Sequence, residues 1–445
     1  MILEKPIWKW KTPTAFCSFS RCLRSVRLPM RLPMSAALAF GLVFSFGLGE
    51  ASAQYLSSGE TVQDRARPEL DAKGMRASGF MLFPTLDLEE AFDDNIFKAD
   101  NGTVDDYILS LKPALSVNSQ WSRHALNFLA GAETAFYADN DDENYTDYNF
   151  SADGRVDIRR DTYFQVDAGF SQNHEDRGSP DDANGVEPGE YTRMEFGGSF
   201  LHRFNRVSIE PLFKASQLDY DDVRTSSGST VNNDDRDRDE FSVGSRLGYM
   251  IVPDKYEAFV RFTYNQRDYD ANLDDNGFNR DSDGFEAVVG TAIDFGGITF
   301  GDVYIGYTQQ KYDDAALKKI DGLVIGGSIF WNPTTLTTIN PFVTRSIEET
   351  TIGSASGYFS TTVGVNIDHE LRRNFLLHGA IRFASWKYEG IGRTDDYTNF
   401  SLGGEYLMSR YARLGLTYEL ENRSSDAAGS DFTQNRIILR GRVQL

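Results

Sequence analysis

The chain closes on RIILRGRVQL, Arg436 to Leu445, and the reading of these ten residues decides the fold. With a period of two, Ile437, Leu439, Gly441, Val443 and Leu445 fall on one face. Arg436, Arg440, Arg442 and Gln444 fall on the other, with Ile438 as the one intruder. Successive residues of a strand point to opposite sides of a sheet. One side of this strand therefore expects an apolar medium and the other expects water.

The same alternation recurs upstream. Leu126, Phe128, Ala130, Ala132 and Phe136 alternate with Asn127 and Glu133; Met194, Phe196 and Phe200 alternate with Arg193, Glu195 and Ser199. Tyr256, Ala258, Val260, Phe262 and Tyr264 alternate with Glu257, Arg261, Thr263 and Asn265. Helical spacing does not compete over these windows, and Phe, Tyr, Val, Ile and Thr dominate them. The connections alternate in length. Tight ones such as RRDT (Arg159 to Thr162), HRFNR (His202 to Arg206) and VPDK (Val252 to Lys255) separate long polar ones. The long ones include Asn173 to Glu190, Asp221 to Glu240 and Asp270 to Gly284.

The N-terminus reads differently. Met34 to Gln54 carries an apolar run of about 14 residues before Ala51-Ser52-Ala53, with Lys and Arg upstream, the pattern of a cleaved secretory signal peptide spanning residues 1–53. A membrane anchor needs about 20 apolar residues. Both cysteines, Cys17 and Cys22, leave with the leader, and so do seven Lys/Arg and two Asp/Glu. The remaining chain holds 38 basic against 64 acidic residues, a net charge of −26, which excludes the basic footprint of a nucleic-acid binder. No later segment has the 18 or so consecutive apolar residues of a transmembrane helix. An exported chain without a spanning helix is soluble or crosses a membrane as a closed barrel.

Short turns alternating with long loops are the asymmetry of an outer-membrane barrel, whose tight turns face the periplasm. The expected fold is all-β: a single closed antiparallel transmembrane β-barrel of about 18 strands over residues 79–445, both ends on the short-turn side. Residues 54–78, poor in apolar side chains, read as a periplasmic N-terminal segment or a short lumen insert. A propeller would show a repeat of roughly 40–45 residues, and none is present. Tandem sandwiches would need linkers. In the barrel reading the last strand pairs with the first, and a ring this wide leaves an aqueous channel.

Chemistry beyond a channel has little support in the residues. The five histidines, His124, His174, His202, His369 and His378, form no metalloprotease pair, and no Gly-x-Ser-x-Gly elbow is present. The expectation is no enzyme, no cofactor and no resident metal. Asp270, Asn272, Asp274 and Asp275, and separately Asn279, Asp281 and Asp283, have calcium-like spacing. Neither run has both the Gly at position 6 and the Glu at position 12 of such a loop. Solvated loops, or divalent bridging to lipopolysaccharide phosphates, suit them better. The pore-lining candidates are Arg246, Arg261, Arg382, Arg413, Arg440 and Arg442, with Glu195, Glu257 and Glu405, and Glu210 beside them. Such a mixed-charge wall sets selectivity, or only satisfies itself across the wall.

Arg67-Pro68, Asp71, Gly74, Gly79-Phe80, Pro84 and Asp94-Asn95-Ile96 add something that periodicity does not. In this order they resemble the opening of a family of outer-membrane β-barrel porins of Gram-negative bacteria. The resemblance implies an outer-membrane channel associated with exopolysaccharide export, working with periplasmic export machinery amid outer-membrane lipid and lipopolysaccharide. It supplies no catalytic motif. A terminal Leu445 departs from the Phe or Trp common at barrel C-termini. The rival expectations are a general diffusion porin for small solutes, a barrel hydrolase and a structural surface barrel. A folded loop constricting the lumen favours the first rival.

Overall fold

The computed structural model describes residues 59–445; the expected leader and residues 54–58 lie outside the described residues. The alternating segments form eighteen strands. They are β1 (Phe80–Asp93), β2 (Asp106–Ser119), β3 (Ala125–Tyr137), β4 (Tyr145–Arg159), β5 (Thr162–His174) and β6 (Glu190–Phe204). Then come β7 (Val207–Tyr220), β8 (Arg238–Val252), β9 (Tyr256–Tyr269), β10 (Ser282–Asp294), β11 (Thr299–Tyr312) and β12 (Ile320–Thr334). The ring finishes with β13 (Thr337–Glu348), β14 (Gly357–Arg372), β15 (Phe375–Glu389), β16 (Thr394–Leu407), β17 (Ala412–Ser425) and β18 (Phe432–Gln444). Each strand pairs with its neighbour in sequence. β1 meets β18 antiparallel over nine rungs, from Thr85↔Gln444 to Asp93↔Arg436. The barrel is closed, so no sheet edge faces lipid at this seam.

Connections 160–161, 205–206, 335–336 and 373–374 cluster at one end, and 175–189, 221–237 and 270–281 at the other. Period-two sorting runs throughout. On β1 and β18, Leu86, Leu88, Ile437, Leu439 and Val443 are exposed on the outside, while Asp87, Glu89 and Gln444 are buried on the inside. Aromatic rings band the outer surface at both ends, as expected where the barrel crosses the two membrane interfaces. Phe92–Tyr107 and Phe285–Tyr307 lie toward the long-loop end, with centroids 5.2 and 6.1 Å apart. Phe80–Trp121 and Tyr256–Phe295 lie at the short-turn end, at 5.3 and 5.1 Å. Glu90 departs from the rule: it is exposed on the outer face two rungs below Phe92, where a carboxylate lies close to the interface.

The intruder Ile438 has a partner. It faces inward and is buried with Ala91, Ile108 and Ala135 from β1, β2 and β3, and with Ile96 from the 94–105 connection. That connection thus folds into the barrel mouth. The neighbouring Asp94 accepts both the backbone and side-chain amides of Asn435 at 2.7 Å. The Asn95 amide donates to the carbonyls of Ala99 and Thr433, 2.9 and 3.0 Å away.

The N-terminal segment lines the inside of the short-turn rim. Val62 is buried on Leu376 and Leu407, and its N–H donates to Thr338 Oγ1 at 2.9 Å. Gln63 reaches Asp368 and His378, both at 2.8 Å. Arg67 is buried against Glu370 at 2.8 Å. Gly74 turns with φ +67°, a conformation open to glycine. Its N–H donates to the Leu445 carbonyl before Met75–Ala77 pairs with β1. The segment follows the wall from β13 round to β1 as a partial belt.

Candidate pore and its outer roof

All nine pore-lining candidates project to the inner face, but the wall divides them. Arg442 grips Asp87 with two hydrogen bonds of 2.6 and 2.7 Å, Arg440 pairs with Glu89, and Lys112 joins Glu89 to Glu133 at 2.7 and 3.2 Å. Arg413 stands directly opposite Arg442 in the register, and Glu405 takes it at 3.4 Å. These pairs tie β18 to β1, β2 and β3, and β17 to β16. A second panel sets Arg246 opposite both Arg261 and Glu210. Arg246 holds Glu257 at 2.5 Å and Arg261 holds Glu286 at 3.0 Å, all but Glu286 being buried. Glu195 lies apart, held by Arg193 at 2.6 Å and Lys214 at 3.0 Å.

Arg382 is different. It is exposed to the lumen at mid-height on β15, and among the described residues it has no ionic or hydrogen-bonding partner. It opens on a cavity of about 220 Å³ lined also by Ala380, Asn399, Ser401 and Glu419. Eight of the nine candidate charges are therefore held by partners in the wall, and Arg382 is left facing water.

At the outer end, connection 175–189 crosses the mouth as a roof held from every side. Glu175 takes Arg236 of connection 221–237 at 2.6 Å. Asp176 takes Lys98 of connection 94–105 at 2.9 Å, and Lys98 also reaches Glu421 on β17 at 3.0 Å. Arg177 reaches Glu143 at 2.5 Å, and the Gly178 carbonyl accepts Arg423 of β17 at 2.7 Å. Asp181 accepts the Thr350 hydroxyl from connection 349–356 at 2.7 Å. Burial pushes the Asp182 carboxyl up to about 6, against the pull of Arg177 and with the help of Glu175 and Asp176. Burial likewise lifts Asp237 to about 7, aided by Asp219, Asp234 and Asp270 and opposed by the Tyr220 N–H it accepts. Between the roof and the 94–105 connection lies a vestibule of about 600 Å³, lined by Lys98, Arg177, Arg393, Arg423 and Asp182.

Sequence reasoning treats these long connections as solvated. The signal against that reading is a basic residue set among the acidic ones of each connection: Lys98, Arg177, Arg236 and Arg280, three of them buried to under a tenth. The calcium-like Asp274 serves the loop itself, accepting Arg280 Nε at 2.7 Å and the N–H groups of Asn276 and Phe278 at 2.9 and 2.8 Å.

Comparison with known proteins gives one family: the sequence model described as "Putative beta-barrel porin 2" matches residues 67–445. No curated protein matches. Among solved structures, the outer membrane protein OpdK of Pseudomonas aeruginosa is similar with a TM-score of 0.42 and 13% identity, over 82% of this chain and 99% of that one. The copper transporter OprC is similar with a TM-score of 0.46 and 8% identity, over 84% and 81% of the two chains. The ferric enterobactin receptor of P. aeruginosa, as a mutant, gives 0.44 and 7%, over 84% and 81%. At this level of likeness the cargoes of those proteins say nothing about this one.

Proposed function

The chain belongs to the Putative beta-barrel porin 2 family and is an outer-membrane β-barrel of porin type, and from that premise we propose that it passes small solutes rather than polymer. The observation that carries this reading is the roof. Connection 175–189 meets four other connections and Arg423 of β17, so the outer opening is divided instead of free. The belt of residues 59–77 narrows the other rim. A hydrated polysaccharide strand, the cargo suggested by the sequence resemblance, needs both constrictions moved aside.

The test is conductance in planar bilayers with and without the roof anchors. Wild-type protein gives small, discrete channels that added polysaccharide leaves unblocked. Arg177→Ala with Arg236→Ala gives larger ones, and liposome swelling extends to bulkier sugars. Absence of any conductance in both proteins overturns the channel; block by polysaccharide from the periplasmic side restores the export reading.

A further inference from the structure

The ladder between β12 and β13 is unlike the others. β11 and β12 share twelve paired residues, β13 and β14 share twelve, and β14 and β15 share fifteen. β12 and β13 share five, and the uppermost is Gly326↔Thr344. Above that rung Ile320–Ile325 pair only with β11, and Arg345–Glu348 only with β14, among the described residues. The parting begins at Gly326 and Gly327, where the wall has no side chains. A Cβ at Gly326 would lie 2.3 Å from the Tyr304 ring, so the close packing there depends on glycine.

The β13–β14 hairpin leans into the barrel above the parting. By alternation Ile347 and Phe359 belong to the outer face, yet they pack with Tyr312, Leu317 and Ile320. Gly322 leaves the room: a Cβ there would lie 3.3 Å from the Phe359 ring. Leu323 stands opposite Tyr307 of the outer aromatic band, so the parting lies at the outer membrane interface. One polar side chain bridges it, beside the apolar contact of Ile347 and Phe359 with Ile320. Arg345 donates through Nε to the Leu323 carbonyl at 3.0 Å and through Nη1 to Thr361 Oγ1 at 2.6 Å, its guanidinium 4.2 Å from the Phe359 ring. A strand edge left unpaired in hydrocarbon is costly, and one at the interface can be solvated by headgroups and water.

The inner wall beside the parting is also distinct. Phe259, Val288 and Val324 form a buried apolar cluster with Tyr304 on β9–β12. Arg246 and Arg261 cover it, 4.3 and 4.8 Å above the Phe259 and Tyr304 rings. Both guanidinium groups are buried and already hold Glu257 and Glu286, so what this wall offers is an apolar floor that suits the apolar body of a small amphiphile.

We propose that the parting between β12 and β13 is a lateral portal through which small amphiphiles move between the outer leaflet and the lumen, with Arg345 as its latch. This goes beyond axial conduction and does not depend on it. The roof obstructs the axial exit, whereas the portal opens below the roof and into the medium where such molecules partition.

The test uses the full barrel in nanodiscs with a diazirine-bearing decanoate as the probe. On illumination, mass spectrometry is expected to find label on inward Tyr304 and Val324 as well as on outward Leu323. Arg345→Ala increases the inward label. Bridging Leu323→Cys to Ile347→Cys with a short bismaleimide abolishes the inward label and keeps label elsewhere on the outer belt. Hydrogen exchange of wild-type segment 320–327 guards against variants that fail to fold: Leu323 and Ile325 amides exchange quickly while their β11-paired neighbours are protected. Label confined to outward residues in every protein, or slow exchange at both amides, overturns the portal. Potassium chloride conductance, recorded in parallel, tests the axial channel separately.

Discussion

At the scale of single residues, Arg442 and Arg382 look alike in the sequence, two arginines at inward positions, and their surroundings give them opposite work. Arg442 neutralises Asp87, whose side chain is 2% exposed, across the seam that closes the ring. Removing one partner of a buried pair strands the other, a loss of roughly 3 kcal/mol. Arg442→Gln should therefore lower the urea midpoint of the barrel in detergent and leave its ion selectivity near that of wild type; an unshifted midpoint argues against the pair as a seam element. Arg382 spends nothing on the wall, so its charge is the one we expect to act on permeating ions. Arg382→Glu should move the reversal potential in a salt gradient toward cations with no change in the urea midpoint. An unchanged potential would take Arg382 out of the conduction path. Reversing Arg440 and Arg442 together sets four carboxylates at one seam with Asp87 and Glu89, and folded yield is the property expected to fall first.

At the scale of elements, the strands were legible because lipid outside and water inside impose a period of two that loops cannot mimic. Ile438 broke that period and marked a place where the lumen face is apolar. Its purpose depended on Ile96, 94–105 connection and all, which no alternation could locate. Ile438→Ala opens a cavity under that connection at a cost of roughly 2 kcal/mol. The 94–105 segment should then be cut by added protease faster than in wild type, while the barrel core resists as before; equal cutting rates would deny Ile438 its anchoring role. The motif that carried the family resemblance also has a physical content that its spacing alone did not reveal. Gly74, Pro84, Asp94 and Asn95 touch the last strand or the chain end, through the carbonyls of Leu445 and Thr433 and the N–H groups of Leu445 and Asn435. Ile96 packs on Ile438. These positions close the ring. The rim belt was hidden for the opposite reason: residues 59–74 bury few apolar side chains, chiefly Val62 with Leu70, and are held by polar groups on strands some 300 positions away. The roof was hidden because ion pairs between connections leave no periodicity.

At the scale of the whole molecule, net negative charge keeps the external surface hydrated while a few buried cations draw the acidic connections together over the mouth. That balance makes the roof sensitive to protons. Asp182 and Asp237 have carboxyls raised to about 6 and about 7, in both cases chiefly by burial. In a displaced, solvated roof each would return toward its ordinary value of 3.8. The closed roof therefore binds protons more readily than the open one between these limits, and its stability grows as pH falls through about 7 and then about 6. Asp176 does not oppose this: Lys98 outweighs its burial and holds it below the usual range, so it stays ionised throughout the window. Bilayer recordings should show open dwell times shortening as pH is lowered from about 7.5 to about 5, with the ionic conductance of each open event nearly constant. Asp182→Asn, neutral at every pH, should shorten open dwells already at neutral pH and flatten the lower half of the profile. Asp237→Asn should flatten the upper half in the same manner. Dwell times that lengthen on acidification would mean that the roof is held by charge pairing alone, with the buried carboxyls contributing nothing to its closure.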